Sequence, residues 1–397
     1  MPKKLKTIWW RIKSLGAMYY YGNPSKKLKI IGVTGTNGKT TIATLLYRVT
    51  TALGHKTGLI STVENVIIKE IKGTTQTTPD SVTLTKLFYE MARKGCEYVF
   101  MEVSSHALDQ NRVAGVSFVG GIFTNLTHDH LDYHRSFENY FAAKKKFFKM
   151  LPAQAFALAN IDDEYGNKIL EGVKAKKYTY GFKNKADFNE KLETKLLGSF
   201  NEYNALVVYA VAVLLGLDKE KVKEILKNIT PPRGRFEHFT SVTGVLVIVD
   251  YAHTPDALEK VLSTAQEINE GKGKIISVFG CGGDRDPFKR PIMGKIGADM
   301  SDIAIFTSDN PRSEDPEKII EQMKTTLFEE ELQKVKTIPN RHEAILEAVR
   351  LAKSGDIILC AGKGHEDYQI IKGVKSHFDD MEEFKKGVSI TTFASLC

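Results

Sequence analysis

The sequence predicts an α/β protein: a central P-loop ATPase-type domain on a mostly parallel sheet, then a smaller Rossmann-like C-terminal domain. Three observations predict it. From Lys29 to about Ile161 short apolar runs alternate with helical patterns, the sequence form of a parallel sheet covered on both faces. The alternation restarts after Pro231-Pro232-Arg233-Gly234, which punctuates the chain as a domain boundary. The first run leads through a glycine-rich turn into a helix start, where backbone N–H groups and the helix dipole favour an anion. The expected division is a segment 1–28, a central domain 29–232 and a C-terminal domain 233–397.

Composition bounds the rest. With 397 residues, 42% hydrophobic and 26% charged, the chain suits an ordinary globular protein of two or three domains. Its formal charge is +8, from 56 basic and 48 acidic residues. No arginine-rich tract or aromatic RNA-binding motif accompanies that charge, so an anionic small substrate is expected rather than nucleic acid. The four cysteines (Cys96, Cys281, Cys360, Cys397) lie far apart, which argues against a disulfide framework or zinc knuckle and for a reducing cytoplasm.

The N-terminal segment is basic from Met1 to Lys6 and aromatic at Ile8-Trp9-Trp10 and Met18 to Tyr21. Arg11 and Lys13 interrupt it, so it is too short and too charged for a transmembrane helix or an ordinary signal peptide. A helix packed on the body and a weak interfacial contact with a membrane or a protein are the two readings. A monomer is expected.

The strands read, in order, as Lys29–Val33, Thr57–Ser61, Tyr98–Val103, Val119–Thr124 and Phe156–Asn160. Helices follow at Asn201–Leu215 and to about Asn228. After the boundary, Val245–Val249, Lys274–Phe279, Asp302–Thr307, Val335–Ile338 and Asp356–Cys360 read as strands, with Thr254–Ile268 and Arg341–Lys353 among the helices.

The turn after the first strand, Gly35-Thr36-Asn37-Gly38-Lys39-Thr40-Thr41, reads as a triphosphate site. Lys39 reaches the outer phosphates and the Thr40 hydroxyl takes Mg²⁺. One detail departs from the usual spacing: six positions before Lys39 stands Val33, with the glycine one earlier at Gly32. Glu102 ends a buried run, where such a sheet needs a Mg²⁺ ligand. The stretch Thr124 to His134 crowds His128, His130 and His134 with Asp129 and Asp132, which suits metal or phosphate chemistry or, alternatively, a solvated loop. In the helix after it, Phe137, Tyr140, Phe141, Phe148 and Leu151 define an apolar stripe. Lys144 falls on that stripe and points inward, while Lys146 points away; burial lowers a lysine's pKa and makes its amine nucleophilic. In the second domain the clusters Gly280 to Asp286, Ser308 to Arg312 and Ala361 to Glu366 all follow strands of one sheet and gather at its carboxyl edge. Arginines with Asp and Glu there suit a zwitterion with carboxylates and ammonium groups.

Taken in order, GTNGKTT, TTPD, EVSSHAL, TNLTHDHLDYH, YFAAK, FNEYN, GRFE, DYAHTPDAL, GCGGDRD, DNPR and AGKGHEDYQ resemble the Mur ligases, most closely those of the MurE type, from Lys29 onward. The resemblance implies ATP-dependent ligation of an amino acid, in the family meso-diaminopimelate, to the D-Glu carboxylate of UDP-N-acetylmuramoyl-L-Ala-D-Glu through an acyl phosphate. It implies ATP on Gly35 to Thr41, Mg²⁺ on Thr40 and Glu102, and a second Mg²⁺ involving His130 and Lys144, the lysine carbamylated. Lys39, Lys144, His130 and Glu102 would be catalytic. Asn201 and Asn204 would lie near adenine, and Arg235, Asp250 and His253 would approach ATP when the domains close about Pro231–Gly234. Thr77, Thr78, Ser104 and Arg112 would hold the muramoyl-dipeptide end. Arg285, Asp309, Asn310, Arg312, Gly362 and Glu366 would take the amino acid, with Arg312 gripping the carboxylate that lysine lacks.

Family members typically carry a uridine-binding domain before the P-loop, and about 28 residues precede it here. Three ways are open: the aromatic helix replaces part of that domain, a partner supplies it, or the acceptor is not a UDP-sugar. Two rivals follow. One is a ligase of folylpolyglutamate type with another acceptor; the other is a regulatory protein that binds ATP and a wall precursor without joining them.

Overall fold

The computed structural model describes residues 3–74, 76–127 and 129–394, so His128 and Cys397 lie outside the described residues. It divides into two compact units. One comprises the chain up to Leu196 with Phe200–Thr230; the other comprises Leu197–Ser199 and the chain from Pro231 onward.

The first unit is built on β1 (Lys29–Thr34), β2 (Thr57–Ile60), β3 (Asn65–Ile67), β4 (Glu70–Lys72), β5 (Tyr98–Glu102), β6 (Phe118–Phe123), β7 (Phe156–Asn160) and β8 (Lys176–Tyr180). They form one sheet in the order β4-β3-β2-β5-β1-β6-β7-β8. Six strands are parallel, and β3 and β4 run antiparallel at one edge. Successive residues point to opposite faces. Thus Ile30, Val99 and Met101 enter one core with Leu84, Phe88, Phe147 and Phe148. Ile31, Val33 and Phe100 enter the other with Leu45, Leu46, Leu206 and Val207. Helices Ser81–Arg93 and Phe137–Met150 cover the first face, and Lys39–Ala52 and Ser199–Leu214 the second.

Gly32 has its reason in this packing rather than in phosphate binding. A Cβ on it would stand 2.5 Å from Phe147 Cζ and 2.9 Å from Val103 Cγ2, so glycine lets the Phe137–Met150 helix sit close on β1.

The N-terminal helix, Lys3–Tyr20, packs beside the Ser81–Arg93 helix. Ser14 Oγ donates to Ala114 O at 2.9 Å, and Asn111 Nδ2 donates to Thr7 O at 3.1 Å. Among the described residues no helix is long and apolar enough to cross a membrane.

The second unit holds β9 (Glu237–Thr240), β10 (Leu246–Asp250), β11 (Ile275–Phe279), β12 (Ile303–Phe306), β13 (Val335–Thr337) and β14 (Ile357–Ala361). The sheet order is β13-β12-β11-β14-β10-β9, parallel except for β9. A hairpin of β15 (Tyr368–Ile371) and β16 (Val374–His377) is tied to Arg312 by a bridge at Ile371.

Beneath the sheet's carboxyl edge lies a fully buried ion pair. Arg341 donates Nε and Nη2 to Asp380 at 2.8 and 2.7 Å, and also bonds Ser308 O and Ala361 O. Removing one partner strands a buried charge, which typically costs about 3–5 kcal/mol, whereas replacing both with apolar groups costs far less. Arg341→Met should therefore lower the second unit's stability by about that amount in urea titration. The double change Arg341→Met, Asp380→Leu should recover most of it.

Candidate active site

Strand β1 delivers the chain to the glycine turn at the sheet's carboxyl edge. Gly35 has φ 149° and Gly38 φ 84°, conformations that favour glycine. A Cβ on Gly35 would overlap the Thr124 hydroxyl, and one on Gly38 would stand 2.9 Å from Asn204 Oδ1. Asn204 in turn donates to Asn201 Oδ1 at 2.9 Å, so both asparagines sit against the turn. Strand β6 supplies its brace: Thr36 N donates to Asn125 O, Asn37 N to Asn125 Oδ1, and Thr124 Oγ1 to Asn37 O, at 2.7–2.9 Å. Lys39 Nζ folds back over the loop, at 3.0 Å from Gly35 O and 2.6 Å from Thr36 O. Thr40 and Thr41 begin the following helix and are buried.

Glu102 closes β5 one register step from this turn, opposite Val33. It is 1% exposed. Its Oε1 accepts from Thr40 Oγ1 at 2.8 Å and from Thr62 N at 2.7 Å, while its Oε2 is buried with no hydrogen-bond partner in the protein. A buried carboxylate oxygen left open beside a hydroxyl fits a hard divalent cation that keeps waters and phosphate as its other ligands. Among the described residues no group of three or more His, Cys, Asp or Glu could hold a metal.

The described part of the 124–134 stretch carries an aromatic stack: the His106 ring meets the His130, Tyr133 and His134 rings at 4.8, 4.1 and 5.7 Å. His130 has φ 54°, lies 3.4 Å from Asp129, and meets the Tyr140 ring edge-on at 6.2 Å. His128 and the side chain of Asp132 lie outside the described residues.

Lys144 is 1% exposed. Its Nζ donates to Gly35 O at 2.6 Å and stands 4.5 Å over the Tyr140 ring. Burial, and then the positive charge of Lys39, hold its pKa well below the usual lysine value. Lys146 departs from the expectation that it points away. It is drawn back onto Leu108 O at 2.8 Å and onto Asn111, because a long aliphatic stem lets a charged head reach nearby carbonyls. Tyr140, read from sequence as plain core, also bonds Thr36 Oγ1 at 3.0 Å; its hydroxyl could have marked it as more than apolar filling.

Beside Glu102 the residues expected to hold the acceptor are strung on one network. Thr78 Oγ1 donates to Glu102 O at 2.8 Å and accepts from Ser104 N at 3.0 Å. Arg112 reaches Thr78 O at 2.7 Å and Gln76 Oε1 at 2.5 Å, and Thr62 Oγ1 donates to Thr77 Oγ1 at 3.0 Å. Within the first unit the structure therefore brings together Gly35 to Thr41, Thr77, Thr78, Glu102, Ser104, Arg112, Lys144, Asn201 and Asn204, with His130 reached through Tyr140.

In the second unit the carboxyl ends of β10, β11, β12 and β14 carry two clusters. Asp250 Oδ2 and Oδ1 accept from Phe236 N and Ala252 N at 2.7 and 2.8 Å, and burial raises its pKa. Arg235 lies 4.8 Å over the Tyr251 ring, which also meets the rings of His253 and His365. The second cluster joins Asn310 Nδ2 to Glu366 Oε2 at 2.7 Å and to Asp309 Oδ1 at 3.2 Å. Arg312 Nη1 donates to Gly283 O at 2.6 Å, and a Cβ on Gly282 would touch both Arg312 and Arg285. Gly362, φ 113°, leaves Asp309 Oδ2 3.5 Å from where its Cβ would be. Burial and then Asp309 raise the pKa of Glu366. Sequence reasoning passed over Lys363, which is fully buried and pairs with Glu366 at 3.5 Å; its place inside AGKGHEDYQ was the available signal.

Fold and site define a class: a P-loop nucleotide-handling enzyme whose second α/β unit gathers polar loops at its sheet's carboxyl edge. The Mur ligase middle-domain family matches residues 33–212, and the Mur ligase, glutamate ligase domain family matches 234–364. A UDP-N-acetylmuramoyl-L-alanyl-D-glutamate–2,6-diaminopimelate ligase of Parabacteroides distasonis is 52% identical over 92% of this chain and 79% of its own length. The enzyme of that name from Clostridium botulinum is 47% identical over 91% and 78%. A solved structure of a ligase of that name superposes with a TM-score of 0.68 at 32% identity, covering 96% of this chain and 83% of its own. A Mycobacterium tuberculosis folylpolyglutamate synthase with ADP shares the fold, with a TM-score of 0.69 at 18% identity over 91% and 92%. The chain belongs to the Mur ligase family, whose members are ATP-dependent amide ligases that need Mg²⁺.

His365 supplies a pH signature. Burial, with Arg235 and Arg233 nearby, lowers its pKa to about 3, and its Nδ1 is buried without a partner. Between the ordinary value of 6.5 and about 3 the unfolded chain binds a proton that the folded one refuses. Stability is then lost as pH falls through that window, by at most about 1.4 kcal/mol per pH unit. His365→Asn should flatten the decline when unfolding free energy is measured between pH 7 and pH 4, values chosen as roughly spanning the window.

Proposed function

We propose that the protein joins meso-diaminopimelate to the D-Glu carboxylate of UDP-N-acetylmuramoyl-L-alanyl-D-glutamate, at the cost of ATP, in peptidoglycan precursor synthesis. The observation that carries this choice of amino acid is the rim on the second unit. Arg285 and Arg312 stand beside Asp309, Asn310 and Glu366, complementary to a molecule with two carboxylates and two ammonium groups. The curated relatives that bear this activity in their names support it. Three described cysteines are free and buried, which agrees with a reducing cytoplasm.

On this reading the acceptor carboxylate oxygen attacks the γ-phosphorus of ATP and ADP leaves, giving an acyl phosphate. The amine of the amino acid then attacks the activated carbonyl, and phosphate leaves as the amide forms. Gly35 to Thr41 bind the phosphates, and Lys39 offsets charge that grows on the leaving oxygens. Thr40 and Glu102 would hold Mg²⁺, which when bound supplies positive charge to the phosphate oxygens. Asn201 and Asn204 lie toward adenine, and Thr77, Thr78, Ser104 and Arg112 hold the muramoyl-dipeptide. Arg235, Asp250 and His253 serve the nucleotide from the second unit.

Lys144 is suited to carbamylation. Its amine, once deprotonated, can add to CO₂ and lose a further proton to become an anionic oxygen ligand, and His130 would share that second Mg²⁺ site. Exchange with isotope-labelled bicarbonate should give a carbamate NMR signal in the wild type and none in Lys144→Arg. Lys144→Ala should abolish turnover; wild-type activity in it would end the assignment. ADP release by purified enzyme should require both acceptor and amino acid. Arg312→Ala should raise KM for diaminopimelate by about 100-fold, the scale of losing a bidentate carboxylate contact, with KM for ATP unchanged. Equal loss of both would make Arg312 structural.

A further inference from the structure

The Lys3–Tyr20 helix turns one face to the protein and leaves the opposite face bare. Trp10, Ser14, Ala17 and Met18 face inward, and Ser14 Oγ holds the carbonyls of Arg112 and Ala114. Leu5, Ile8, Trp9, Ile12 and Tyr19 are 51–90% exposed. At about 100° per residue these five fall within a single stripe, opposite the packed face. The stripe runs toward a shallow cavity of about 300 Å³ lined by Leu15, Met18, Tyr19, Gly22, Asn23 and Gly115. Exposed Lys6 and Lys13 lie along one flank of the stripe and exposed Arg11 along the other.

Charge distribution says what covers this face. Eight of the chain's 56 basic residues fall within the first 29 positions, which contain no acidic residue; the first is Glu64. The remaining 48 basic residues match the 48 acidic ones in number, so the whole formal excess of +8 sits at this end. Five of those eight lie on the helix, with Lys13 3.6 Å from Asp80; the helix is thus net positive, so it would repel a second copy of itself and be drawn to an anionic surface. An apolar stripe bearing tryptophan, bounded by cations on both flanks, is the arrangement of a helix lying in a bilayer interface.

We propose that this helix docks the enzyme on an anionic lipid bilayer, with Ile8, Trp9 and Ile12 entering the acyl boundary and the flanking Lys and Arg meeting lipid headgroups. The contact is peripheral and reversible. Because Ser14 also braces the backbone at Arg112, the docked helix lies next to the loop assigned above to the acceptor. The docking inference itself does not depend on that assignment.

The chain's two tryptophans, Trp9 and Trp10, both lie in this helix, so Trp10→Phe leaves one reporter on the exposed face. With phosphatidylglycerol-containing vesicles, the protein should co-sediment and Trp9 emission should move to the blue. Phosphatidylcholine vesicles should give neither effect. Lys6→Glu with Arg11→Glu should weaken binding by about 25-fold, roughly fivefold per basic residue lost at an anionic surface. Ile8→Glu with Ile12→Glu should abolish the emission shift while ligase activity in lipid-free solution stays unchanged. Equal sedimentation of wild type and both variants would overturn the proposal. So would failure to bind anionic vesicles, or a lipid-free dimer in sedimentation velocity that Ile8→Glu with Ile12→Glu dissolves.

Discussion

The close seating of the Phe137–Met150 helix on β1 is the constraint on which the first unit's site depends. Gly32 and Gly121 offer no side chain, and the Phe147 ring fills the space over them. That contact fixes both the height and the rotation of the helix. Lys144 stands three residues before Phe147 and Tyr140 one further turn back, so both share its inward face. The same seating therefore delivers Lys144 Nζ to Gly35 O and the Tyr140 hydroxyl to Thr36 Oγ1. A larger residue at position 32 would push the helix outward and carry the lysine away from the glycine turn. Aliphatic packing on one side of the strand thus sets polar geometry at its end.

Such an arrangement carries an energetic tension that serves chemistry. A buried ammonium is costly, and Lys39 close by makes it more so. The lysine can relieve that cost by giving up its proton, which leaves a nucleophilic amine in a dry place. Glu102 shows the opposite sign of the same logic. One of its oxygens is satisfied by Thr40 and Thr62 and the other is buried and open, so the fold holds an acceptor that only a cation or a donor from outside can complete. The amine, on the Phe137–Met150 helix, and the half-satisfied carboxylate, at the end of β5, are each costly alone, because the low dielectric around them makes an unpaired polar group expensive.

Much of this was legible in the sequence because buried parallel strands announce themselves as apolar runs. The five runs in each half fall within one or two residues of β1, β2, β5, β6 and β7, and of β10 to β14. The strands that were missed are β3, β4, β8, β9, β15 and β16. Several of these are short edge or hairpin strands; β4 and β16 are largely exposed, and β8 is buried fully only at Tyr180. The exposed ones leave no period-two signal to read, and β3, though buried, is only three residues long. Lys144 was legible because its phase against Phe137 and Tyr140 is a local, helical fact. Lys146 was not, because the carbonyl it reaches belongs to Leu108, far along the chain. The stacking in the histidine-rich stretch was hidden for a similar reason: spacing shows which residues are near in sequence, not that His106 wedges among the rings of His130, Tyr133 and His134.

The second unit solves a different problem, holding three polar loops still at the carboxyl edge of its sheet. It does so from beneath. Arg341 bonds Ser308 O and Ala361 O while paired with Asp380, and Arg290 bonds Gly282 O while paired with Glu314. Two buried guanidiniums thereby pin the loops after β11, β12 and β14. Their charges are spent on Asp380 and Glu314, so they add little to the field at the rim. Arg285 and Arg312 sit above, on the loops so fixed, with less of their capacity used inside the protein. Arg312 is held at φ 54° by backbone bonds to β15 on both sides of its peptide. Holding a non-glycine residue there costs backbone energy, and the pairing with β15 maintains it. That cost aims one guanidinium beside Gly282 in advance, so less ordering remains to be done when a carboxylate arrives.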